Sequence, residues 1–141
     1  MSKQAASAPR LVASNPKDAK AVTIQLSAQQ FSLLIGKKIG DSLDGAPFGL
    51  KDSFIRITGG TDRDGFPMRP DVSGARKVRI LLSGGPGYHP REKPPSKRKK
   101  RRNRRFVKGL RKRVTVRGNV ISEAISQINA VIIPKQEARA N

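Results

Sequence analysis

A single basic tract limits what this chain can fold into. From Lys97 to Arg113 the sequence reads KRKKRRNRRFVKGLRKR, in which twelve of seventeen residues are Lys or Arg and none is acidic. Like charges at this density repel one another, and the tract has too few apolar side chains to join a hydrophobic core. The core must therefore come from the patterned segments on either side of it, residues 11–90 and 113–135.

The overall charge predicts a polyanionic partner. The 141 residues include 30 Lys and Arg against 10 Asp and Glu, a formal charge of +20 at pH 7, and such a field favours nucleic acid or an anionic membrane surface. No apolar run approaches the roughly 20 residues of a membrane helix, and the first ten residues lack the apolar segment of a signal peptide. We therefore expect nucleic acid as the partner, no membrane, and a cytosolic protein. The absence of Cys excludes disulfides and thiolate metal sites.

Short apolar segments between turns predict one mainly β body. Two strands flank NPKDAK, where Asn-Pro favours a turn, and further strands are expected at residues 54–58, 78–82 and 114–116. Residues 29–35 have helical spacing, with Gly36 as a cap. The last segment, residues 125–133, is ambiguous because isoleucines recur at helical spacing before an extended end at Pro134. The pattern predicts a small, mainly antiparallel β-barrel-like body with one or two short helices and a long basic arm.

This reading divides the chain into four parts. We expect a flexible N-terminal segment at residues 1–10, a single β-rich body at residues 11–90 and 113–135, a basic arm at residues 91–112, and a flexible C-terminus at residues 136–141. The term basic arm is used below for residues 91–112.

Residues 57–68 read ITGGTDRDGFPM and crowd two aspartates and three glycines together. A calcium loop starting at Asp62 would need Gly at the sixth position and Glu at the twelfth, where Pro67 and Ser73 stand instead. No window of the sequence has the Gly-Lys-Ser/Thr end of a phosphate loop. The stretch therefore predicts a turn shaped by aspartate side chains, without a metal, and with Gly65 in the left-handed region. The glycine pairs at 59–60 and 84–85 are interpreted as positions of positive φ after strands.

The same twelve residues, followed by Arg69 and Pro70, resemble the signature of small-subunit ribosomal protein six of the archaeal and eukaryotic type. The blocks VRILLSGGPGYHPR at residues 78–91 and RKRVTVRGNVISEAISQIN at residues 111–129 are similar to later blocks of that family, in the same order. The resemblance implies a structural protein embedded in small-subunit rRNA among other ribosomal proteins, without catalysis, cofactor or small-molecule substrate. Because the chain stops at Asn141, it is similar to the short archaeal form, which lacks the long C-terminal extension and its regulatory serines.

The basic arm has two interpretations. It is either a solvated disordered loop or localisation tract, or an arm that orders along RNA phosphates when they neutralise it. We favour the second, because Arg can fork two donors onto a phosphate and Lys adds point charges. A free nucleic-acid-binding module, of chromatin or RNA-chaperone type, is the alternative to a ribosomal protein. The predicted RNA-binding residues are Lys97, Arg98, Lys99, Lys100, Arg101, Arg102, Arg104, Arg105, Lys108, Arg111, Lys112, Arg113, Arg117, Lys37, Lys38, Arg69 and Arg91.

Overall fold

The computed structural model describes residues 8–90 and 109–135, and this part of the chain is mainly β-structure. Its elements, in chain order, are β1 (Arg10–Asn15), β2 (Lys20–Gln25), α1 (Ala28–Leu34), β3 (Ser42–Asp44), β4 (Ser53–Asp62), β5 (Lys77–Leu82), β6 (Lys112–Arg117) and β7 (Ile125–Pro134). A single 3₁₀ turn lies at Ala46–Phe48. The predicted class, mainly β with one or two short helices, is confirmed.

The strands form two separate sheets and not a closed barrel. One sheet has the order β2-β1-β7-β4-β3, and β5 and β6 form a second, two-stranded ladder. β1 and β7 run parallel, whereas the other paired strands are antiparallel. β2 and β3 lie at opposite ends of the five-stranded order, so the sheet has two free edges where a barrel would have none. The strands therefore do not close into the barrel-like body that was expected. The expectation of mainly antiparallel pairing is confirmed.

The first hairpin and the helix follow the local signals in the sequence. At the β1–β2 turn, Asn15 Nδ2 donates to Asp18 Oδ2 at 2.7 Å, which is a typical use of short polar side chains in turns. α1 opens with a capping box, because Ser27 Oγ accepts from the Gln30 N–H and Gln30 Oε1 accepts from the Ser27 N–H. Gly36 follows the helix with φ of +85°, as expected of a residue that ends a helix.

β7 is a strand along its whole length, so the helical interpretation of this segment is wrong. Its register pairs Thr61 with Gln127 and Asp62 with Ile125, which leaves Ser126 as an extra, bulged residue. The bulge turns Ile125 and Ile128, three positions apart, toward the same buried face. Three-residue spacing of apolar side chains, which is typical of a helix, here arises from an interrupted strand.

The core lies on one face of the five-stranded sheet. Leu11 of β1 is opposite Ile128 of β7, and Ala13 is opposite Ala130, which in turn is opposite Ile57 of β4. All five side chains are almost completely buried, and burying each large one contributes about 1.5–3 kcal/mol. The helix, loops and strand ends complete the core with Leu26, Leu34, Phe48, Met68, Ile121 and Ile125.

The glycine pair at 59–60 lies within β4, which extends four residues beyond the predicted strand end. Neither glycine has positive φ, so that expectation is wrong for this pair, although Gly85 of the second pair does have φ of +88°. Gly60 is needed for a different reason: a Cβ there would lie 2.6 Å from Gln127 O and 2.9 Å from Met68 Sδ. A Cβ on Gly59 would meet nothing within 4 Å.

Alanine substitutions at these two adjacent glycines should therefore differ in their cost to stability. Gly60→Ala should lower the free energy of unfolding by about 2 kcal/mol, because the new methyl group meets a strand carbonyl that cannot move without disturbing the β4–β7 pairing. Gly59→Ala is the matched control and should change it by less than about 1 kcal/mol. Chemical denaturation of both variants in the same buffer measures the difference. Equal losses would show that close packing at Gly60 is not the constraint.

Candidate nucleic-acid interface

Most of the basic tract lies in the connection between two paired strands, β5 and β6. β5 and β6 pair antiparallel, with Leu82 opposite Lys112 at the end where the connection begins. The strand that ends at Leu82 and the strand that begins at Lys112 therefore lie side by side, and β6 includes Lys112, which the sequence had assigned to the basic arm. Because the strand pair fixes both ends, part of the entropy cost of placing this segment against a partner is met by folding of the body.

The β5–β6 ladder has a basic outer face and an apolar inner face. Leu82 and Val116 are buried beneath it, whereas Arg79, Leu81 and Arg113 are exposed on its other side. Arg79 was not among the predicted RNA-binding residues. The alternation of Arg with apolar residues in KVRILL was the signal that could have identified it, because every second side chain of a strand lies on the same face.

Asp62 connects β4, the turn that follows it and β6. Its Oδ1 accepts from the N–H groups of Asp64 and Phe66, each at 2.9 Å. Its Oδ2 accepts from Arg117 Nε at 2.9 Å, and the Asp62 side chain is 1% exposed. Gly65 follows with φ of +89°. The predicted turn is confirmed for Asp62 and for the left-handed Gly65, whereas Asp64, which was also expected to shape it, instead pairs its side chain with Lys77.

The pKa of Asp62 reflects two opposing effects. Burial alone would raise it, but the hydrogen bond from Arg117 and those from the backbone of Phe66 and Asp64 outweigh burial and hold the pKa below its usual value. The carboxylate is therefore ionised at neutral pH and paired with the guanidinium. A buried ion pair of this kind is costly to break from one side, because the remaining charge has no solvent to replace its partner.

Arg69 has a comparable structural role at the base of the hairpin. Its Nε and Nη2 form a fork on the two carboxylate oxygens of Asp71, at 2.9 and 2.8 Å, and this hydrogen bonding lowers the pKa of Asp71. Nη1 donates to Pro86 O at 2.6 Å. Arg69 thereby holds the first residues after β5 against the body, and its side chain is 12% exposed.

The structure thus divides the predicted RNA-binding cations into groups. Arg69 and Arg117 direct their guanidinium groups to partners within the protein, so an RNA contact by either stays a prediction that the geometry does not favour. Lys37 and Lys38 are exposed near the chain that follows β6, since Lys38 bridges Val120. At the end of the β5–β6 ladder, Arg111, Lys112 and Arg113 are exposed. The other predicted cations lie outside the described residues: Arg91, Lys97, Arg98, Lys99, Lys100, Arg101, Arg102, Arg104, Arg105 and Lys108.

Residues 8–90 and 109–135 were predicted to hold neither a metal site nor a membrane span. Within those residues there is no cluster of three or more His, Cys, Asp or Glu side chains that could hold a metal ion. No described helix is long and apolar enough to cross a membrane.

The fold and charge distribution define a class: a small β protein with a long basic hairpin connection. The statistical model of the family described as Ribosomal protein S6e matches residues 9–107 and 101–140, and the chain belongs to that family. This confirms the resemblance found in residues 57–68.

Archaeal relatives are similar over most of the chain. A protein named small ribosomal subunit protein eS6 from Staphylothermus marinus is 49% identical over 114 residues, covering 81% of this chain and 46% of the relative. Proteins of the same name from Archaeoglobus fulgidus and Methanothermobacter thermautotrophicus are 46% and 43% identical, covering 88% and 84% of this chain and 85% and 82% of those relatives. The chain therefore spans about half of the Staphylothermus protein and more than four fifths of the other two.

The Asp62–Arg117 pair predicts a pH-dependent stability. Asp62→Asn should lower the free energy of unfolding by about 3 kcal/mol at pH 7, because it leaves the Arg117 charge without its carboxylate. Since folding lowers the pKa of Asp62, the pair stabilises the fold above the unfolded value of about 3.9 and loses that effect as pH falls through the folded value. The gap between wild type and variant should therefore narrow below about pH 4 in denaturation measured across pH.

Asp64→Asn is the control for this pH series. Asp64 pairs with Lys77 at 2.6 Å, but its side chain is 62% exposed, so the substitution should cost less than about 1 kcal/mol. A gap between wild type and Asp62→Asn that stays constant from pH 7 to pH 2 would contradict the proposed role of the Asp62 charge.

The same contacts predict that the turn does not bind divalent cations. Both carboxylate oxygens of Asp62 already accept hydrogen bonds, and Asp64 is paired with Lys77, so too few free oxygen ligands remain for calcium. Calorimetric titration with Ca²⁺ and with Mg²⁺ should show no saturable heat. Stoichiometric binding that Asp64→Asn abolishes would overturn this conclusion.

Proposed function

We propose that this chain is a structural constituent of the small ribosomal subunit that binds rRNA through phosphate contacts of the basic arm. The observation that carries the proposal is the pairing of Leu82 with Lys112, which attaches both ends of the connection 83–111, and with it most of the tract, to one end of the β5–β6 ladder. The family membership and the printed name of the relatives support the subunit. On this proposal the protein acts in the ribosome, in the cytoplasm, and performs no catalysis.

Phosphate contacts fit the chemistry of the arm better than base readout. The window 97–105 contains eight Lys and Arg residues and a single uncharged one, Asn103, so it has little with which to distinguish bases. Arginine forks suit phosphate oxygens, and each neutralised phosphate releases counterions and so contributes affinity. Arg79 and Arg113 on the outer face of the ladder would continue this positive surface toward the body.

The proposal also names the expected partners of the chain. The small-subunit rRNA is the expected main ligand, and neighbouring ribosomal proteins are expected at the free surfaces of the body. The exposed lysines at 37 and 38 provide a second, weaker phosphate-facing surface in this proposal. Membranes and small-molecule substrates have no part in it.

Charge removal from the arm tests the proposal. Changing the eight Lys and Arg residues between Lys97 and Arg105 to Gln should weaken binding of rRNA fragments nearly uniformly across sequences, because phosphates carry no sequence information. Each lost contact lowers the salt slope by roughly 0.7 to 0.9, so the slope should flatten by about 3 if half of these charges contact RNA. Fragment binding measured from low to moderate salt provides the slope.

Two further variants make the measurement specific. A variant with residues 97–105 in scrambled order keeps all eight charges and should keep the wild-type slope. The double variant Lys37→Gln, Lys38→Gln measures the contribution of the body. An unchanged slope in the arm variant, with a loss in the double variant, would reject the arm as the interface. A loss confined to one RNA sequence would instead favour a free module that reads bases.

A further inference from the structure

A cavity of about 520 Å³ opens between α1, the start of β7 and the turn after β4. Its apolar lining includes Leu26, Phe31, Ile35 and Ile125. Arg63 and Glu123 contribute the charged part of the lining, and both residues are exposed. This volume lies within the 300–1,000 Å³ range of small-ligand sites, and the cavity is open to solvent.

The two charged residues are held close together without being paired to each other. The N–H of Arg63 donates to Ala124 O at 3.1 Å, which places Arg63 beside the residue that follows Glu123. Within the described residues, neither side chain has an ion-pair or hydrogen-bond partner. By contrast, Asp62, Asp64 and Asp71 each contact an Arg or Lys of this chain.

In a protein with a charge of +20, Glu123 is a carboxylate that lines this cavity and is not paired with a cation of the described residues. The general field attracts anions, but a carboxylate accepts hydrogen bonds and donates none at neutral pH. The ligand that it selects must therefore present N–H groups next to an apolar or aromatic surface. Unstacked RNA bases are recognised in this way, through an aromatic face and hydrogen bonds along the Watson–Crick edge.

We propose that this cavity, with Phe31, Arg63 and Glu123, binds an unstacked guanine of RNA. Guanine presents two adjacent donors, N1–H and N2–H, which match the two oxygens of one carboxylate. Adenine and cytosine present one exocyclic amino group beside an acceptor, and uracil presents a single N–H between two acceptors, so none of them satisfies both oxygens of Glu123. Phe31 provides the surface on which the base stacks, and Arg63 neutralises the phosphate of the same nucleotide.

This site deepens the proposed function and rests on it, because the ribosomal RNA is the source of the guanine. The two parts have different chemistry. The basic arm is expected to bind phosphates of any sequence, whereas the cavity would recognise one base and so set the position of the body along the RNA. Their failures can therefore be separated by experiment.

The test uses the full ¹⁵N-labelled chain and three free nucleotides: GMP, IMP, which lacks the N2 amino group, and AMP. Backbone amides of residues 31, 63 and 123 should shift saturably, with GMP binding about tenfold more tightly than AMP and IMP lying between them. Glu123→Gln should remove the preference for GMP, because an amide replaces one acceptor oxygen with a donor. Asp52→Asn is the matched control, since Asp52 is exposed, has no partner for its side chain in the described residues and does not line the cavity.

Asp52 has φ of +55°, which Asn tolerates well, so the control should fold and retain the preference for GMP. Equal binding of all three nucleotides, or shifts confined to the basic arm, would overturn the site.

The wall of the cavity also includes Ala8 and Pro9. Deletion of residues 1–7 tests whether the N-terminus of the chain occupies the cavity. If this deletion shifts the amide signals of residues 31, 63 and 123 without nucleotide, and GMP does not shift them in the intact chain, the N-terminus is the occupant and the guanine site is rejected.

The variant with eight Gln residues in the arm separates this proposal from the proposed function. It should lose most of the salt-dependent binding to rRNA fragments and keep its preference for GMP over AMP. Loss of that preference in the arm variant would show that the nucleotides bind the arm, which overturns the site. Retention of the preference beside an unchanged salt slope would support the cavity and reject the arm.

Discussion

The buried ion pair of Asp62 and Arg117 joins the five-stranded sheet to the two-stranded β5–β6 ladder. Asp62 ends β4 in the main sheet and Arg117 ends β6 in the two-stranded ladder, so the pair fixes the end of one ladder against the other. The Asp62 carboxylate also accepts hydrogen bonds from the N–H groups of Asp64 and Phe66, and these bonds shape the turn that follows β4. Because a buried charge must stay paired, the turn, the main sheet and the base of the hairpin form one cooperative unit.

The position of the basic arm depends on this unit. Arg117 and Arg69 use their guanidinium groups inside the protein, and the carboxylates of Asp62 and Asp71 stabilise them there. Cations beyond this base, such as Arg79 and Arg113, are exposed on the outer face of the ladder and have no carboxylate partner within the described residues. The fold therefore separates arginines that are paired within the protein from arginines that are exposed on the outer face, and it does so with the few acidic residues that the chain has.

The proposed interface combines two kinds of contact with different consequences. Phosphate contacts by a dense basic segment give affinity and depend on salt, but they do not define where on an RNA the protein stands. A cavity with a carboxylate and an aromatic side chain binds weakly by itself but distinguishes one base from another. Glu123 and Phe31 would then provide position, while the arm provides most of the binding free energy.

Local physics in the sequence was sufficient for the first hairpin, the short helix that Gly36 follows and the turn at Asp62, because each depends on residues that are near one another in the chain. Long-range pairing decided the rest. Ile125 and Ile128 suggested a helix until the register with β4 showed a bulge, and Arg117 could not be distinguished from Arg113 until the fold placed it against Asp62, 55 positions away. A sequence pattern records spacing along one chain, whereas the partner of a bulge or of a buried charge is set by strands that meet only in three dimensions.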